Sequence, residues 1–401
     1  MSFFKDLQKL LGQNVREYGM YIALFIIMAI FTITTKGIFI QSRNISNLIN
    51  QTGYIAVLAV GMTLVIVIRH IDLSVGFLSG FLGALAAIAM ADQKIIQGGR
   101  SLPVYGVIPL VLLLGILAGM LTAFLVANLG IPAFVATLAG WLGYRGALQL
   151  VTAGTGTIII TDKVFNGLSN GYVPDIPGIS VLPGVHKLTL ILGLLAIILL
   201  ILSQISDRNK KLAYKFEVLP MDMFILKLVF MSILLAGITW IMAGYNGLSW
   251  TVVIVLAVVG IYDFMASHTV LGRHIYALGG NPEAAQLSGI SIKKMTYIVF
   301  GSMGMLSALS GILYASRFKS ATTTAGNLFE LDAIAAAFIG GVSPAGGIGK
   351  VTGSLIGALV MGSLSSGMNL MGIDISLQYI AKAAVLAAAV IFDVATRSRG
   401  K

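Results

Sequence analysis

The stretch VYGVIPLVLLLGILAGMLTAFLVA, from Val104 to Ala127, carries no charged side chain. A helix of about 20 apolar residues crosses the hydrocarbon core of a bilayer, which is about 30 Å thick. A stretch of this length and character therefore predicts a membrane span. It must be helical there, because lipid offers no hydrogen-bond partner to a free backbone amide.

Similar apolar runs recur along the whole chain. Hydrophobic residues make up 57% of the 401 residues and charged residues only 10%, which is more apolar surface than a soluble domain can bury. The predicted fold class is all-α, a polytopic transmembrane helical bundle of about ten to twelve spans in a single domain over 1–401. The candidate spans are 18–35, 53–68, 73–91, 104–127, 131–151, 188–203, 224–244, 250–267, 295–316, 328–342, 351–372 and 377–394. The span 328–342 is short enough to be tilted or partly re-entrant.

Basic residues gather on one side of the membrane when these spans are threaded from an internal N-terminus. That side receives Lys5, Lys9, Arg16, Arg208, Lys210, Lys211, Lys215, Arg273, Lys293, Lys294, Arg397, Arg399 and Lys401. Cytoplasmic loops carry the Lys and Arg excess, so both termini and the loop 268–294 are predicted to be cytoplasmic in a multi-pass protein of the inner or plasma membrane. The net charge of +11 follows from this bias; it needs no nucleic acid partner and favours contact with anionic membrane lipid.

The polar segment LGRHIYALGGNPEAAQLSGISIKK, from Leu271 to Lys294, interrupts the apolar pattern. Asn281 is a strong N-cap, and Pro282 suits the first helical position. Glu283 favours the positive end of a helix, and Gly289 is a natural C-terminal stop. The segment therefore predicts a helix of about two turns.

A helix this short must be held by packing, either against its own protein or against a partner. Ala284, Ala285 and Leu287 give it a small apolar surface that would fit a groove. On local sequence features alone, a helix that docks a partner and an ordinary loop helix on the membrane surface are equally well supported. The residues predicted to dock a partner are Gly280, Asn281, Pro282, Glu283, Ala284, Ala285, Leu287 and Gly289.

Glu283, Ala284 and Ala285 followed by Gly289 resemble the coupling-helix signature of ABC importer permeases. Three further runs resemble monosaccharide permeases of the ribose, xylose and multiple-monosaccharide class, in the same order along the chain. They are GMTLVIVIRHIDLSVG (61–76), GIPAFVATLAGWLGYRGALQLV (130–151) and ELDAIAAAFIGGVSPAGGIGKVTGSLIGALVMG (330–362). The resemblance covers most of the chain and leaves the particular sugar open.

Two features depart from the ribose-type pattern. An extra apolar pair at 188–244 lies between the N-terminal spans (18–187) and the C-terminal spans (249–394), as in the xylose and multiple-monosaccharide members that the chain resembles. Arg69 stands where the family usually has a small residue. Whether Arg69 faces lipid, the pathway or the docking interface is open at the level of sequence.

The resemblance implies the passive half of a pump. Two permease copies would form the pathway, a separate ABC ATPase would bind below, and a free or anchored extracytoplasmic sugar-binding protein would deliver a xylose-like or other monosaccharide. ATP and magnesium would belong to the ATPase, so this chain is expected to have no catalytic residue, cofactor or metal. The sequence agrees, because a P-loop ends in Lys and a hydroxyl residue; the nearest run, Gly346 to Thr352, has Val351 in the hydroxyl position.

Polar residues inside spans are candidates for the pathway or the dimer seam. A charge at mid-membrane costs at least about 2.5 kcal/mol and is kept where it is paired or wetted. The candidates are Arg145, Gln378 and Lys382. Lys382 would alternatively pair with a carboxylate, and Arg145 would alternatively snorkel. The acids near span starts, Asp72, Glu330 and Asp332, are more readily explained as stabilising helix N-termini than as substrate contacts.

Two other function classes, a secondary transporter and an intramembrane enzyme, predict different sequence features. An ion-coupled secondary sugar transporter, the main alternative, predicts an inverted repeat and intramembrane acids; the chain shows no convincing repeat and few such acids. An intramembrane enzyme predicts paired acids, a His-Glu metal motif or a Ser-His pair within spans. With four histidines and no cysteine, the chain offers little to that class.

Overall fold

The computed structural model describes residues 15–90, 102–154, 156–177, 183–216 and 218–398. Part of the predicted cytoplasmic basic set lies outside the description, namely Lys5, Lys9, Arg399, Lys401 and the side chains of Arg16 and Arg397.

The described residues form fifteen helices and one short sheet. The first helices are α1 (Val15–Thr34), α2 (Ser42–Val67), α3 (Val75–Met90), α4 (Val104–Ala127), α5 (Ala133–Thr152) and α6 (Lys163–Asn170). The middle of the chain forms α7 (Lys187–Ala213), α8 (Met221–Ala243), α9 (Trp250–His268), α10 (Val270–Gly280) and α11 (Pro282–Leu287). The last helices are α12 (Ile292–Phe318), α13 (Phe329–Ile339), α14 (Val351–Leu370) and α15 (Ile375–Ser398). Strand β1 (Thr157–Ile159) pairs antiparallel with β2 (Ser320–Thr322).

Each of the twelve predicted spans coincides with a helix, so the all-α bundle is confirmed. Among the described residues, seven helices are long and apolar enough to cross a membrane, namely α2, α4, α7, α8, α9, α12 and α14. Shorter apolar segments lie in α1, α3 and α15. The 11 residues of α13 extend only about 16 Å at 1.5 Å per residue, roughly half of a hydrocarbon core.

The start of α2 lies well before the boundary predicted from hydropathy. The helix begins at Ser42 rather than near 53, and the missed turns are rich in Asn and Ser. Two of the asparagines are hydrogen-bonded there: Ser249 Oγ donates to Asn50 Oδ1 at 2.5 Å, and Asn44 Nδ2 donates to the Phe39 carbonyl at 2.7 Å. The buried Ser46 Oγ has no hydrogen-bond partner among the described residues. The prediction was wrong because a satisfied polar side chain costs little when buried, whereas hydropathy counts it as exposed.

Helices α2 and α12 form the centre of the bundle and are buried along most of their length. Helix α2 packs against α9, α12, α13 and α14, and α12 packs against α3 and α4. Helices α7 and α8 pack chiefly against each other and expose most of their apolar side chains. In a bilayer those exposed side chains would meet lipid.

Two helix pairs approach each other through glycines spaced four residues apart, a spacing that predicts close packing. The glycines are Gly115 and Gly119 on α4, and Gly353 and Gly357 on α14. A Cβ atom built on Gly119 would lie 2.0 Å from the Phe300 carbonyl oxygen, and one built on Gly357 would lie 1.9 Å from the Ala336 carbonyl oxygen. The α4–α12 and α13–α14 pairs therefore touch backbone to backbone, and the close packing is confirmed.

A Gly357→Ala variant is expected to be destabilised by about 1–3 kcal/mol, because its methyl group displaces the backbone of α13. Gly237→Ala on α8 is the matched control, since nothing lies within 4 Å of the added Cβ, and it should be neutral or stabilising because alanine favours a helix over glycine. Thermal unfolding of both full-length variants in detergent measures the difference. Equal melting temperatures would contradict the packing described here.

The two ends of the bundle are distinguished by the connections around α7, α8 and α9. The His186 amide donates to the Ala243 carbonyl at 2.9 Å, and the Leu248 amide donates to Thr189 Oγ1 at 2.9 Å. The start of α7, the end of α8 and the start of α9 therefore lie together. The opposite ends of these three helices share the other face with α10 and α11, which we call the docking end.

The segment between α5 and α7 covers the face opposite the docking end. It contains β1 and α6. Asp175 organises its last part, where Oδ1 accepts hydrogen bonds from the Ile176 and Leu188 amides, each at 2.9 Å. These bonds, that of Leu188 above all, lower the pKa of Asp175 to about 2, so this carboxylate stays charged at neutral pH.

Candidate functional site

Helix α11 is the short helix predicted from the polar segment. Asn281 Oδ1 accepts a hydrogen bond from the Ala284 amide at 3.0 Å, and Pro282 is the first helical residue. The helix ends at Leu287, and Gly289 follows with φ +84°. The local signals act as predicted, although the helix is slightly shorter than the expected two turns.

The two faces of α11 have different environments. Ala285 faces the bundle and is only 4% exposed, whereas Leu287 is 90% exposed. Glu283 and Ala284 are also exposed. One face thus holds the helix on the bundle, and the other presents a leucine, an alanine and a carboxylate to the outside.

Helix α10 supports α11, and its existence was not predicted. The sequence predicted a loop over 268–294 with a single short helix, but Val270–Gly280 is an amphipathic helix that buries Ile275 and Leu278. The contact with α2 is very close: a Cβ atom on Gly279 would lie 1.8 Å from the Val67 carbonyl oxygen. The sequence signal was the helical spacing of the apolar residues Leu271, Ile275 and Leu278.

Arg69 links this platform to the end of α2. Its Nε donates to the Gly279 carbonyl at 2.6 Å, and its Nη2 donates to the Gly280 carbonyl at 2.5 Å. The residue adopts φ +67°, which turns the chain sharply after α2. Arg69 therefore contacts the end of α10, and no local sequence pattern indicated this contact.

The loop between α13 and α14 completes the junction. The Gly347 amide donates to the Val67 carbonyl at 2.9 Å, and the Tyr276 hydroxyl donates to the Gly349 carbonyl at 2.7 Å. The glycine run that superficially resembles a P-loop is thus a turn that joins α2, α10 and α14. We call the contacts among Val67, Arg69, Gly279, Gly280 and Gly347 the docking junction.

A second polar group lies inside the bundle, where α3, α5 and α13 meet. Trp141 Nε1 donates to Glu330 Oε1 at 2.9 Å. Arg145 Cζ lies 5.4 Å from the Trp141 ring centre and 5.6 Å from that of Phe77. Glu330 is 3% exposed, and its Oε2 has no hydrogen-bond partner among the described residues. A buried carboxylate oxygen without a partner is a ready acceptor for a hydroxyl group.

Lys382 lies beside this group in an ion pair. Its Nζ is 3.0 Å and 2.9 Å from the two carboxylate oxygens of Asp332. The alternative that Lys382 pairs with a carboxylate is therefore confirmed. Asp332 and Glu330 share the first turn of α13, where their charges also favour the helix N-terminus. The pair joins α13 to α15 close to the Glu330 site.

Gln378 lies apart from this group. It is 6% exposed, and its Nε2 donates to Asn369 Oδ1 at 2.8 Å and to the Ile373 carbonyl at 2.9 Å. These contacts tie the end of α14 to the start of α15. Of the three residues predicted for the pathway or seam, Arg145 and Lys382 are near Glu330 and its helix, and Gln378 is not.

Comparison with known proteins identifies the family. Residues 44–390 match the family described as the permease component of branched-chain amino acid transport systems. The chain belongs to this permease family. The permease is 37% identical over 393 residues to the xylose transport system permease protein of Haemophilus influenzae, covering 98% of this chain and 99% of the relative.

Other relatives support the same assignment. The xylose transport system permease protein of Escherichia coli strain K12 is 37% identical to this permease and covers 96% of it, with 93% of the relative covered. The ribose import permease protein of H. influenzae is 35% identical, covering 96% of this permease and 94% of the relative. No solved structure matches the permease.

Proposed function

We propose that the chain is the translocation subunit of an ABC importer that carries a monosaccharide of the xylose type into the cytoplasm. The observation that carries this proposal is the near full-length likeness to permeases named for xylose and ribose. Both sugars have five carbons, so a pentose is the favoured substrate. The family is described as a component of a transport system, which implies partner chains that an ion-coupled secondary carrier does not need.

The proposed division of labour places ATP and magnesium on a separate ATPase, which makes this chain a translocation subunit and not an enzyme. The exposed face of α11 would bind the ATPase, two copies of the chain would enclose the pathway, and a sugar-binding protein would dock at the opposite end. The docking end would be cytoplasmic, and both termini with it. The basic side chains at 208–215, 273 and 293–294 support this orientation.

The docking junction supports a mechanism for alternating access. A movement of α11 would pass through α10 and Arg69 to the end of α2, and through Gly347 to the turn before α14. Helices α2 and α14 contact α13, which carries Glu330 and Asp332. Movement at the ATPase would thereby reach the polar group between α3, α5 and α13. There Glu330 Oε2 would accept a sugar hydroxyl, and Trp141 would offer an apolar ring face.

The function is tested by affinity purification of the full-length chain in detergent, with identification of the proteins that accompany it and an ATPase assay on the complex. The expected result is a stoichiometric ABC ATPase whose activity rises when a pentose-loaded binding protein is added. A purified chain that moves sugar into liposomes without ATP would overturn the proposal and make the protein a secondary carrier.

The docking surface gives a separate prediction. Burying a leucine side chain is worth about 1.5–3 kcal/mol, so Leu287→Ser is expected to weaken ATPase binding at least about tenfold. The control is Leu212→Ser, which replaces an exposed leucine at the docking end of α7. This variant should bind the ATPase normally. The measurement is ATPase recovery on the immobilised chain across a concentration series. Equal binding by both variants would remove α11 from the interface.

A further inference from the structure

A basic cavity opens at the docking end of the α7–α8 pair. It has a volume of about 140 Å³, and its lining includes Asp207, Arg208 and Lys211 from α7 and Phe224 and Lys227 from α8. This is several times the roughly 30 Å³ share of one liquid water molecule. We propose that the cavity binds the phosphate of an anionic phospholipid from the adjoining membrane leaflet.

The charges of the cavity favour an anion. Lys211 pairs with Asp207 at 2.8 Å, so among the described residues Arg208 and Lys227 supply the excess positive charge. Arg208 donates to the Leu219 carbonyl at 2.5 Å and lies 4.8 Å above the Phe224 ring. These neutral contacts fix the guanidinium without neutralising it.

Lys227 is held in the same way. Its Nζ donates to the neutral Gln204 Oε1 at 3.0 Å. A lysine has three N–H donors and an arginine has five, so both side chains keep donors for a phosphate. One phosphate between Arg208 and Lys227 would bridge α7 to α8.

The surroundings of the cavity indicate a lipid rather than a free phosphate ion. Met221 and Ile225, on the first turns of α8, are 59% and 50% exposed and would meet acyl chains beside the headgroup. The docking end is cytoplasmic under the proposed function, and the cytoplasmic leaflet carries the anionic lipids that attract basic residues. Because α7 and α8 pack mainly against each other, a lipid bound to both helices would stabilise their contact at the docking end.

Native mass spectrometry of the full-length chain, in a detergent mixture with equal amounts of phosphatidylglycerol and phosphatidylcholine, tests the site. The wild type should retain phosphatidylglycerol in preference. Arg208→Gln/Lys227→Gln should lower the relative affinity about 30-fold, which corresponds to about 1 kcal/mol for each basic residue removed. Lys210→Gln/Lys215→Gln removes the same charge from exposed residues that do not line the cavity and should retain the preference.

Three results would overturn the lipid site: no preference in the wild type, an equal loss in both double variants, or displacement of the lipid by millimolar inorganic phosphate, which would indicate a soluble anion. Arg208→Lys keeps the charge and should keep the preference, so a general folding defect at residue 208 would be recognised. The assay contains no ATPase or sugar, and the failure of the transport proposal would leave its readout unchanged.

Discussion

Replacing Arg69 by alanine is expected to lower sugar uptake about 30-fold while the ATPase remains bound. The variant loses two charge-assisted hydrogen bonds that join α2 to the Gly279 and Gly280 carbonyls. Such bonds are worth about 1.5–3 kcal/mol each when buried. Arg69 is exposed, so solvent screening reduces the total to about 2 kcal/mol, which corresponds to about 30-fold.

The reason for this selective defect is the geometry of the docking junction. Arg69 does not lie on the exposed face of α11, so its loss leaves Leu287 and Glu283 available to the ATPase. What is lost is one of the contacts through which, under the proposed mechanism, a movement of α10 would reach α2. The remaining contact of Gly347 with Val67 and that of Tyr276 with Gly349 keep the segments in place. The expected variant therefore hydrolyses ATP without moving sugar at the normal rate.

The measurement pairs uptake by cells or proteoliposomes with ATPase recovery on the same preparation. Lys36→Ala is the matched control, because Lys36 is also an exposed basic residue at positive φ, +52° against +67° for Arg69. Arg69→Lys keeps the charge but loses the two-pronged geometry and should be intermediate. Uptake near the wild-type rate in Arg69→Ala would contradict the coupling role, and loss of ATPase binding would make Arg69 a docking residue instead.

Local chemistry explains which parts of the docking site could be predicted from sequence. The cap by Asn281, the first-position Pro282 and the stop at Gly289 act within a few residues, so α11 was recognisable. The contact of Arg69 with Gly279 joins residues 210 positions apart. No periodicity or capping rule reports on such a pair. Arg69 could be recognised from sequence as unusual for the family, but its contact with Gly279 could not be predicted.

The membrane helices show the same difference between local features, which could be predicted from sequence, and long-range contacts, which could not. Spans were recognisable because a bilayer imposes length and apolarity on each helix separately. The early turns of α2 were missed, since the partner that satisfies Asn50 comes from Ser249 on a distant segment. Glu330 was explained as an acid that stabilises a helix N-terminus; the hydrogen bond that it accepts from Trp141 exists only because the fold brings α5 against α13. The position of each span can be predicted from the local sequence, whereas the pairing of polar side chains depends on how the helices pack.

Removing the charge of Lys382 is expected to have the largest effect on stability. In a Lys382→Met variant, Asp332 remains without its partner at the start of α13. The two side chains are about one-fifth exposed, 21% for Lys382 and 22% for Asp332, so the uncompensated charge is expected to cost about 3 kcal/mol, the lower end of the range for a fully buried pair. Removing both charges in Lys382→Met/Asp332→Asn is expected to restore stability to within about 1–2 kcal/mol, because a neutral pair needs no desolvated ion.

The unfolding of the wild type, Lys382→Met, Asp332→Asn and the double variant in detergent forms a double-mutant cycle that isolates the interaction of the two side chains. Lys227→Met on α8 is the matched control, since it removes a span lysine whose partner is the neutral Gln204 and should cost much less. A double variant as unstable as Lys382→Met alone would show that Lys382 acts through packing of its stem rather than through Asp332. Recovery in the double variant would instead show that the instability of Lys382→Met comes from the unpaired charge of Asp332 and not from lost packing between α13 and α15.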